Sequence, residues 1–251
     1  MIRDVNADVS AVIEAEDRVA LKMFSDHVLK RVNGAPYDSV MVIDGNDDRG
    51  IDVGLMTRAG FAIGDMRSHI NDRNAQGNPI FSRDCPEYAI TTPAGERIWV
   101  LPNHFKSKFG GDNASSRARR SAQATRTAEI YQQLRASRED LVVVLGDFND
   151  TPTSAPLAPL LTRTDLQDVS DHREFDPGEF AGMGTFGLGN DSQEIDYLLL
   201  SPALFTRVTA AGRFRKGAWP GVRPKRWTVY EETHPPGPCR IRPSRHLGDI
   251  G

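Results

Sequence analysis

Cysteine is scarce in this sequence, and its scarcity excludes two classes of protein. The 251 residues include two cysteines, Cys85 and Cys239, too few for the disulfide framework of a small secreted domain. Neither belongs to a Cys-x-x-Cys motif or to a Cys/His spacing that predicts zinc. Any metal that the protein binds is therefore expected to have oxygen ligands.

Long apolar runs and a large excess of charge are absent as well. No stretch of 18 apolar residues occurs, so the sequence predicts no transmembrane helix. The N-terminus lacks the basic and apolar segments of a signal peptide. The formal net charge is only −3, so overall electrostatics predict neither a nucleic-acid nor a membrane partner. With 39% hydrophobic and 26% charged residues, the chain has the composition of one large globular domain or two small ones.

Positive charge is nevertheless concentrated in two segments. Residues 106–138 contain eight Lys or Arg against two acidic residues, and residues 213–226 contain six basic residues and no acid. Most runs of this kind are simply solvated surfaces. Beside a catalytic site, however, they would attract a phosphate-bearing substrate.

The hydrophobic pattern predicts strands interleaved with helices, without internal repeats or low-complexity linkers. Apolar residues have helical spacing in residues 7–33 and again in 113–137, where arginines surround them. Five strand-like runs, several of which end on polar residues, lie at 39–45, 51–58, 97–105, 141–148 and 195–201. This order predicts an α/β or layered α+β domain. Fully apolar runs such as LVVVL predict sheets that are covered on both faces.

The run VVVLGDFND, at 142–150, sets a buried strand directly against Asp147 and Asn149. Residues two apart on an extended segment project to the same side. A carboxylate and an amide there offer a hard-oxygen ligand and a neutral donor, which suits Mg²⁺ together with a phosphate or an attacking water. The alternative is a tight turn, for which Gly, Asp and Asn are the usual residues. This stretch alone favours the turn.

A second apolar run changes that weighting. The motif NHFKSK places Asn103, His104, Lys106 and Lys108 at the end of another predicted strand. Such a cluster can bind the oxygens of a phosphate or protonate a leaving group. A lone histidine is more often a structural residue, but this one has two lysines within four positions.

Three further stretches carry candidates that are weak in isolation. GNDDRGIDVGLMTR places Arg49 in a loop before a strand. Asp196 begins the run IDYLLLSP and could orient a histidine, although a strand-start cap is the simpler interpretation. In ADVSAVIEAEDR, Glu14 or Glu16 could ligate a metal, although a glutamate on a helix is usually just solvated.

Taken in order, these stretches resemble the endonuclease/exonuclease/phosphatase superfamily, whose fold is that of deoxyribonuclease I. The resemblance covers residues 7–230; GDFN and NHFKSK are its specific parts, and IDYLLLS supports them. It implies a four-layer sandwich of two packed mixed β-sheets flanked by helices, with a site at one edge where strand ends converge. NHFKSK followed by an arginine-rich helix is particularly similar to the secreted bacterial nucleases of this superfamily.

The resemblance also implies roles for individual residues. Glu14, together with Asp147, would bind a Mg²⁺ or Mn²⁺ ion, and His104 would be the first active-site histidine, which stabilises the transition state. Asp147 and Asn149 would position the attacking water and the phosphate, and Asp196 would orient a second histidine. The residues assigned to substrate binding are Asn103, Lys106, Lys108 and Arg49.

Two elements of the family pattern are missing. Members begin with an Asn-bearing strand well before the glutamate, which here is already Glu14, so we expect that the first strand is absent. The family closes with Ser-Asp-His, whereas residues 233–251 are rich in Pro and Arg and offer only His246 for the catalytic histidine. Codons can be chosen for which a one-base shift restores Ser-Asp-His, so we hypothesise an indel near Thr233, which sequencing the gene would reveal. Residues 1–232 are therefore assigned to an N-terminally incomplete catalytic domain and the remainder to a frame-shifted tail.

The function implied is Mg²⁺- or Mn²⁺-dependent hydrolysis of a phosphodiester by a monomer, with nucleic acid preferred because of the two basic segments. A phospholipid or a small phosphorylated metabolite is the enzyme alternative, and a steep loss of activity with salt would favour nucleic acid. The non-enzyme alternative is a truncated remnant that folds poorly or binds phosphate without turnover.

Overall fold

Two β-sheets and the helices on their outer faces make up most of the computed structural model, which describes residues 1–178, 184–186 and 194–214. The N-terminal part contains helix α1 (Ile2–Val5), strand β1 (Val9–Ala15), helix α2 (Arg18–Met23) and a π-helical turn (Phe24–Leu29). Next come strands β2 (Ser39–Val42), β3 (Asp52–Thr57), β4 (Ala62–Arg67), β5 (Glu87–Thr91) and β6 (Arg97–His104). They are followed by helix α3 (Ala114–Ala136), strand β7 (Val142–Asp147), a 3₁₀ turn (Ala155–Leu157) and helix α4 (Ala158–Leu161). The last elements are strand β8 (Gln167–Asp168), a 3₁₀ turn (Val169–Asp171), strands β9 (Phe175–Asp176) and β10 (Asp196–Leu200), helix α5 (Pro202–Phe205) and strand β11 (Ala211–Gly212).

The strands form one small and one large sheet. The small sheet has three antiparallel strands in the order β1-β3-β2. The large sheet has six strands in the order β4-β5-β6-β7-β10-β8, in which β6 and β7 are parallel and the other neighbours antiparallel. A parallel ribbon pairs β9 with β11. The mixed large sheet therefore places the C-terminal ends of β6 and β7 side by side.

Three cores separate four layers. Between the sheets, Leu55 of β3 packs with Tyr88 of β5 and Val100 of β6. The other face of the large sheet packs against α3 and α4, and the other face of the small sheet packs against α2. Since successive residues of a strand face opposite sides, both faces of the inner strands require apolar residues. This arrangement confirms the predicted sandwich of two sheets flanked by helices.

The predicted elements are confirmed in the centre of the chain and corrected at its start. The five predicted strands correspond to β2, β3, β6, β7 and β10, and the arginine-rich helix is α3. A helix throughout residues 7–33 was wrong, because the segment begins with strand β1. There Val9 and Ala11 pack in the core between the sheets while Val12 packs on the opposite face, as a strand requires, and α2 starts only where the Asp17 side chain accepts a hydrogen bond from the Ala20 N–H. Strands β4 and β5 had not been predicted.

The predicted tail, residues 233–251, lies outside the described residues. None of the helices in the described ranges has the length and hydrophobicity to span a bilayer. By their contacts, Ile2–Arg213 form one unit, which contains both sheets and all the residues of the site below.

Candidate active site

Three neighbouring strands of the large sheet bring three polar side chains into one row. Because β6 and β7 run in parallel, His104 at the end of β6 lies in register with Asp147 at the end of β7. Strand β10 is antiparallel to β7, so its first residue, Asp196, lies opposite Asp147 on the other side. The Nε2 atom of His104 is 3.7 Å from Oδ2 of Asp147. The topology therefore assembles residues that are distant in sequence into one row.

An aromatic stack lies directly beneath this row. Each residue of the row is followed in sequence by a ring: Phe105, Phe148 and Tyr197. The centroids of Phe105 and Phe148 are 4.8 Å apart, as are those of Phe148 and Tyr197, and all three rings belong to the core beneath α3. Because neighbouring residues in a strand point to opposite faces, the polar row and the stack share the same three backbones.

The chain turns immediately after Asp147, and this turn fixes the carboxylate. Asn149 has a φ of 53°, in the left-handed region, and its N–H donates to Oδ1 of Asp147 at 2.7 Å. Its side-chain amide donates to the carbonyl of Phe105 at 3.1 Å. The turn interpretation of GDFN is therefore confirmed, and the extended geometry assumed for Asp147 and Asn149 is wrong, while the site interpretation stays a prediction.

Gly146 allows β6 and β7 to approach closely beside the row. Its φ is 130°, and a Cβ built there would lie 2.0 Å from the carbonyl oxygen of Asn103. Asn103 itself faces away from the row: its amide donates to the Leu101 carbonyl at 3.0 Å, and its Oδ1 accepts from the hydroxyl of Thr127 at 3.2 Å. Contrary to expectation, the structure does not bring Asn103 into the site, because strand alternation points it opposite to His104.

A buried arginine that the sequence analysis missed contacts the same loops. Arg83 is 2% exposed, lies 3.3 Å from a carboxylate oxygen of Asp47, and donates to the carbonyl of Phe105 at 3.4 Å. The Nε and Nη2 atoms of Arg49 donate hydrogen bonds to the two carboxylate oxygens of the same Asp47, at 2.9 Å each. These hydrogen bonds from Arg49, together with the charge of Arg83, hold the pKa of Asp47 well below its usual range. The sequence carried no signal for this arginine, because FSRDCPEYAI at 81–90 has a mixed polar composition although all ten residues are buried.

Glu14 contributes a carboxylate from the small sheet. It lies at a β-bulge near the end of β1 with a φ of 61°, and its side chain is exposed. Its charge acts on Arg49, Arg83 and Asp147. The structure therefore places Glu14 near the row, although at a strand end and not on the expected helix.

The row has unusual proton affinities. Burial, followed by the charges of Asp196 and Glu14, raises the pKa of Asp147 to about 7, although the N–H of Asn149 opposes this. Burial, together with the charges of Arg83 and Arg49, lowers the pKa of His104 to about 3. Near neutral pH the imidazole is therefore uncharged, while Asp147 is poised between its two protonation states.

The remaining candidates fall into two groups. Burial and the charges of Arg83, Arg49 and Arg119 lower the pKa of Lys106, which places this lysine at the cationic side of the site. Lys108 forms an ion pair with Asp150 at 2.5 Å, and its expected role in substrate binding stays a prediction. His246 lies outside the described residues.

Carboxylate oxygens are the main potential metal ligands near the row, beside the imidazole of His104. Within the described ranges, no group of three or more His, Cys, Asp or Glu residues is arranged to hold a metal ion. Glu14 and Asp147 remain as two carboxylates, and Mg²⁺ commonly takes one or two carboxylates and completes its shell with water and substrate phosphate. The residues present therefore fit a hydrated Mg²⁺ or Mn²⁺ ion.

The sequence of residues 2–218 matches a model of the endonuclease/exonuclease/phosphatase family. The chain belongs to this family. A family protein from Bacteroides thetaiotaomicron superposes with a TM-score of 0.58 and 17% identity, over 81% of this chain and 70% of that one. The mannosyl-6-phosphatase of the same organism gives 0.56 and 16%, over 81% and 74%. Truncated TDP2 of Caenorhabditis elegans gives 0.51 and 13%, over 80% and 73%.

At these identities the structural similarity shows a shared fold, and it confirms the family fold that the sequence resemblance implies. A search of curated protein sequences finds no match.

Proposed function

We propose that the protein is a divalent-metal-dependent phosphodiesterase that acts on nucleic acid. The observation that carries the proposal is the row of His104, Asp147 and Asp196 at three adjacent strand ends, beside the buried cation Arg83. The ends of strands in a rigid sheet hold such groups in fixed positions, as in-line attack on a phosphate requires.

Asp147 is suited to activate the attacking water. Its Oδ1 already accepts a hydrogen bond from Asn149, so Oδ2 is the atom available to the water. A base works best when its pKa lies near the operating pH, and in the metal-free chain burial and neighbouring carboxylates raise the pKa of Asp147 to about 7. In the proposed step the water oxygen attacks phosphorus, its proton passes to Asp147, and the bond to the leaving oxygen breaks. A proton from solvent neutralises the leaving oxygen.

His104 and the cations stabilise the charge that develops on the phosphate. The uncharged imidazole can donate one hydrogen bond to a phosphate oxygen, while Arg83 supplies positive charge close by. A Mg²⁺ or Mn²⁺ ion held by Glu14 and Asp147 would add further neutralisation of the phosphate when bound.

Nucleic acid is the preferred substrate because cationic groups outnumber those needed for one phosphate. The positive charges of Arg49, Arg83 and Arg119 all act on Lys106 beside these strand ends. A small phosphorylated metabolite is the alternative substrate, and the fold shared with a mannosyl-6-phosphatase supports it. Only a polyanion releases many counterions, so a steep decline of activity with salt distinguishes the two.

The test is nicking of supercoiled plasmid by the purified chain with Mg²⁺, Mn²⁺ or EDTA. We expect metal-dependent nicking that falls at least about 100-fold in Asp147→Asn, because the variant lacks the base. Asp65→Asn is the matched control, since the side chain of Asp65 is 74% exposed on β4. A folded chain that cleaves neither plasmid nor a small phosphoester would overturn the proposal.

A further inference from the structure

Helix α3 carries five arginines, and only Arg119 lacks a partner among the described residues. The other four, Arg117, Arg120, Arg126 and Arg135, form ion pairs with carboxylates. Arg119 is half-buried, and its Nε atom is fully buried without a hydrogen-bond partner. A buried donor left unpaired costs about 1–3 kcal/mol, so its position calls for an explanation.

Arg119 lies beside the loop that follows His104. There the backbone of Lys106 is held from both sides by α3: its N–H donates to Oε1 of Gln123 at 2.8 Å, and its carbonyl accepts from Arg120 at 3.2 Å. Arg119 precedes Gln123 by one helical turn, and residues four apart share a helix face. The positive charge of Arg119 contributes to lowering the pKa of Lys106, as expected if both cations face the same loop.

Neither cation is neutralised by the protein in the described part of the chain. Arg49 and Arg83 share Asp47, whereas the side chains of Lys106 and Arg119 have no carboxylate within ion-pair distance. Two adjacent like charges repel each other, and partial burial strengthens the repulsion because the dielectric constant is lower there. An anion that a ligand places between the accessible ends of the two side chains would remove this repulsion.

We propose that Lys106 and Arg119 form a subsite for a second phosphate group of the substrate, separate from the phosphate that is hydrolysed. The inference rests on the proposed function and narrows its substrate class to molecules with at least two phosphates. The planar guanidinium of Arg119 matches the geometry of phosphate oxygens, and the lysine adds a point charge. A nucleic-acid strand and a bisphosphorylated metabolite share this chemistry.

The subsite is tested first by binding, without catalysis. Calorimetric titrations in EDTA compare adenosine 3′,5′-bisphosphate with adenosine 5′-monophosphate, and fructose 1,6-bisphosphate separates a sugar source from a nucleotide source. We expect the wild-type chain to prefer the adenosine bisphosphate about tenfold, as the loss of one charge-assisted contact implies. Arg119→Met should abolish this preference, and Arg119→Lys should retain most of it. Equal weakening of both nucleotides in Arg119→Met, or an unchanged preference, would overturn the subsite.

Arg117→Met is the matched control, because Arg117 lies two residues away on α3 and its exposed side chain pairs with Asp112. The control should keep the wild-type preference, and a loss there would point to a general charge effect that refutes the assignment. Melting temperatures check that every variant is folded.

Hydrolysis distinguishes failure of the subsite from failure of the function. Plasmid nicking without selective bisphosphate binding would refute the subsite alone. Selective binding without hydrolysis of any phosphoester would retain the subsite and refute the enzyme.

Discussion

Asp147 is predicted to destabilise the fold at neutral and alkaline pH. Its carboxyl group is buried next to Asp196 and within reach of the charge of Glu14, so the protonated form is the one that the folded state favours. Asp147→Asn replaces it with a neutral side chain of the same shape. In the absence of divalent metal, we expect this variant to be more stable than the wild type.

The size of the effect follows from the pKa. In the folded chain the pKa of Asp147 rises from its ordinary 3.8 to about 7. Each unit corresponds to about 1.4 kcal/mol, so full ionisation costs about 4 kcal/mol at most. The side chain is 20% exposed and keeps a hydrogen bond to the Asn149 N–H, so we expect about 2–4 kcal/mol. For a domain of this size that is roughly 4–16 °C in Tm.

The stability difference between the wild type and Asp147→Asn depends on pH. Below about pH 4 the carboxyl group is protonated in both folded and unfolded chains, so wild type and variant should be equally stable. Between about pH 4 and 7 the folded state binds more protons than the unfolded state, so the stability of the wild type falls as pH rises. Above about pH 7 the full difference is present.

Thermal unfolding followed by circular dichroism in EDTA at pH 4 and pH 8 measures this difference. Asp65→Asn serves as the control and should leave Tm unchanged at both pH values, because its side chain is 74% exposed. Equal melting of wild type and Asp147→Asn at pH 8, or the same shift at both pH values, would refute the reasoning.

Two further predictions concern the backbone and a second ionisable site. Gly146→Ala should lower the free energy of unfolding in urea by about 3 kcal/mol or more, because the added Cβ would lie 2.0 Å from a carbonyl oxygen of β6. Gly77→Ala is the control: Gly77 has a φ of 80° and no atom within 4 Å of the added Cβ, so the loss should be only about 1 kcal/mol. Burial lowers the pKa of His69, but its hydrogen bonds to Glu87 and Asp72 outweigh burial, so the pKa in the folded chain is raised. The protonated imidazole therefore stabilises the fold fully below about pH 6.5, the ordinary pKa of histidine. This stabilisation is lost as the pH rises through the pKa of the folded chain. His69→Gln should therefore destabilise the chain more at pH 6 than at pH 9, and urea titrations that show equal losses would contradict this.

The sequence predicts the centre of the fold well because its strands are buried on both faces. Runs such as LVVVL at 141–145 are apolar without interruption, and the polar residues after two such runs include the candidates His104 and Asp147, whereas Asp196 gained a role only through the family resemblance. That these ends meet follows from the parallel neighbours β6 and β7. The hydrophobic pattern and the sequence motifs were therefore sufficient to predict the fold class and part of the row.

Other features depend on contacts between distant segments, which local patterns do not carry. Strand β1 was predicted as helix because Val12, Ala15 and Val19 also have helical spacing. Arg83 is indistinguishable in sequence from any arginine between strands, and its importance comes from Asp47. The motif NHFKSK also gave no sign that its last lysine would pair with a carboxylate beyond β7.

The aromatic stack has a consequence for how this site can change. Every residue of the row is joined through one peptide bond to a ring of Phe105, Phe148 or Tyr197, so a displaced row would require unstacked rings. The row can therefore hold its geometry while surrounding loops vary in length and charge. If Lys106 and Arg119 bind substrate as proposed, exchanging these two residues, which lie outside the stack, would change substrate preference without moving the row. The stacked rings would keep the row fixed while residues around it change, so one fold could act on different phosphate esters.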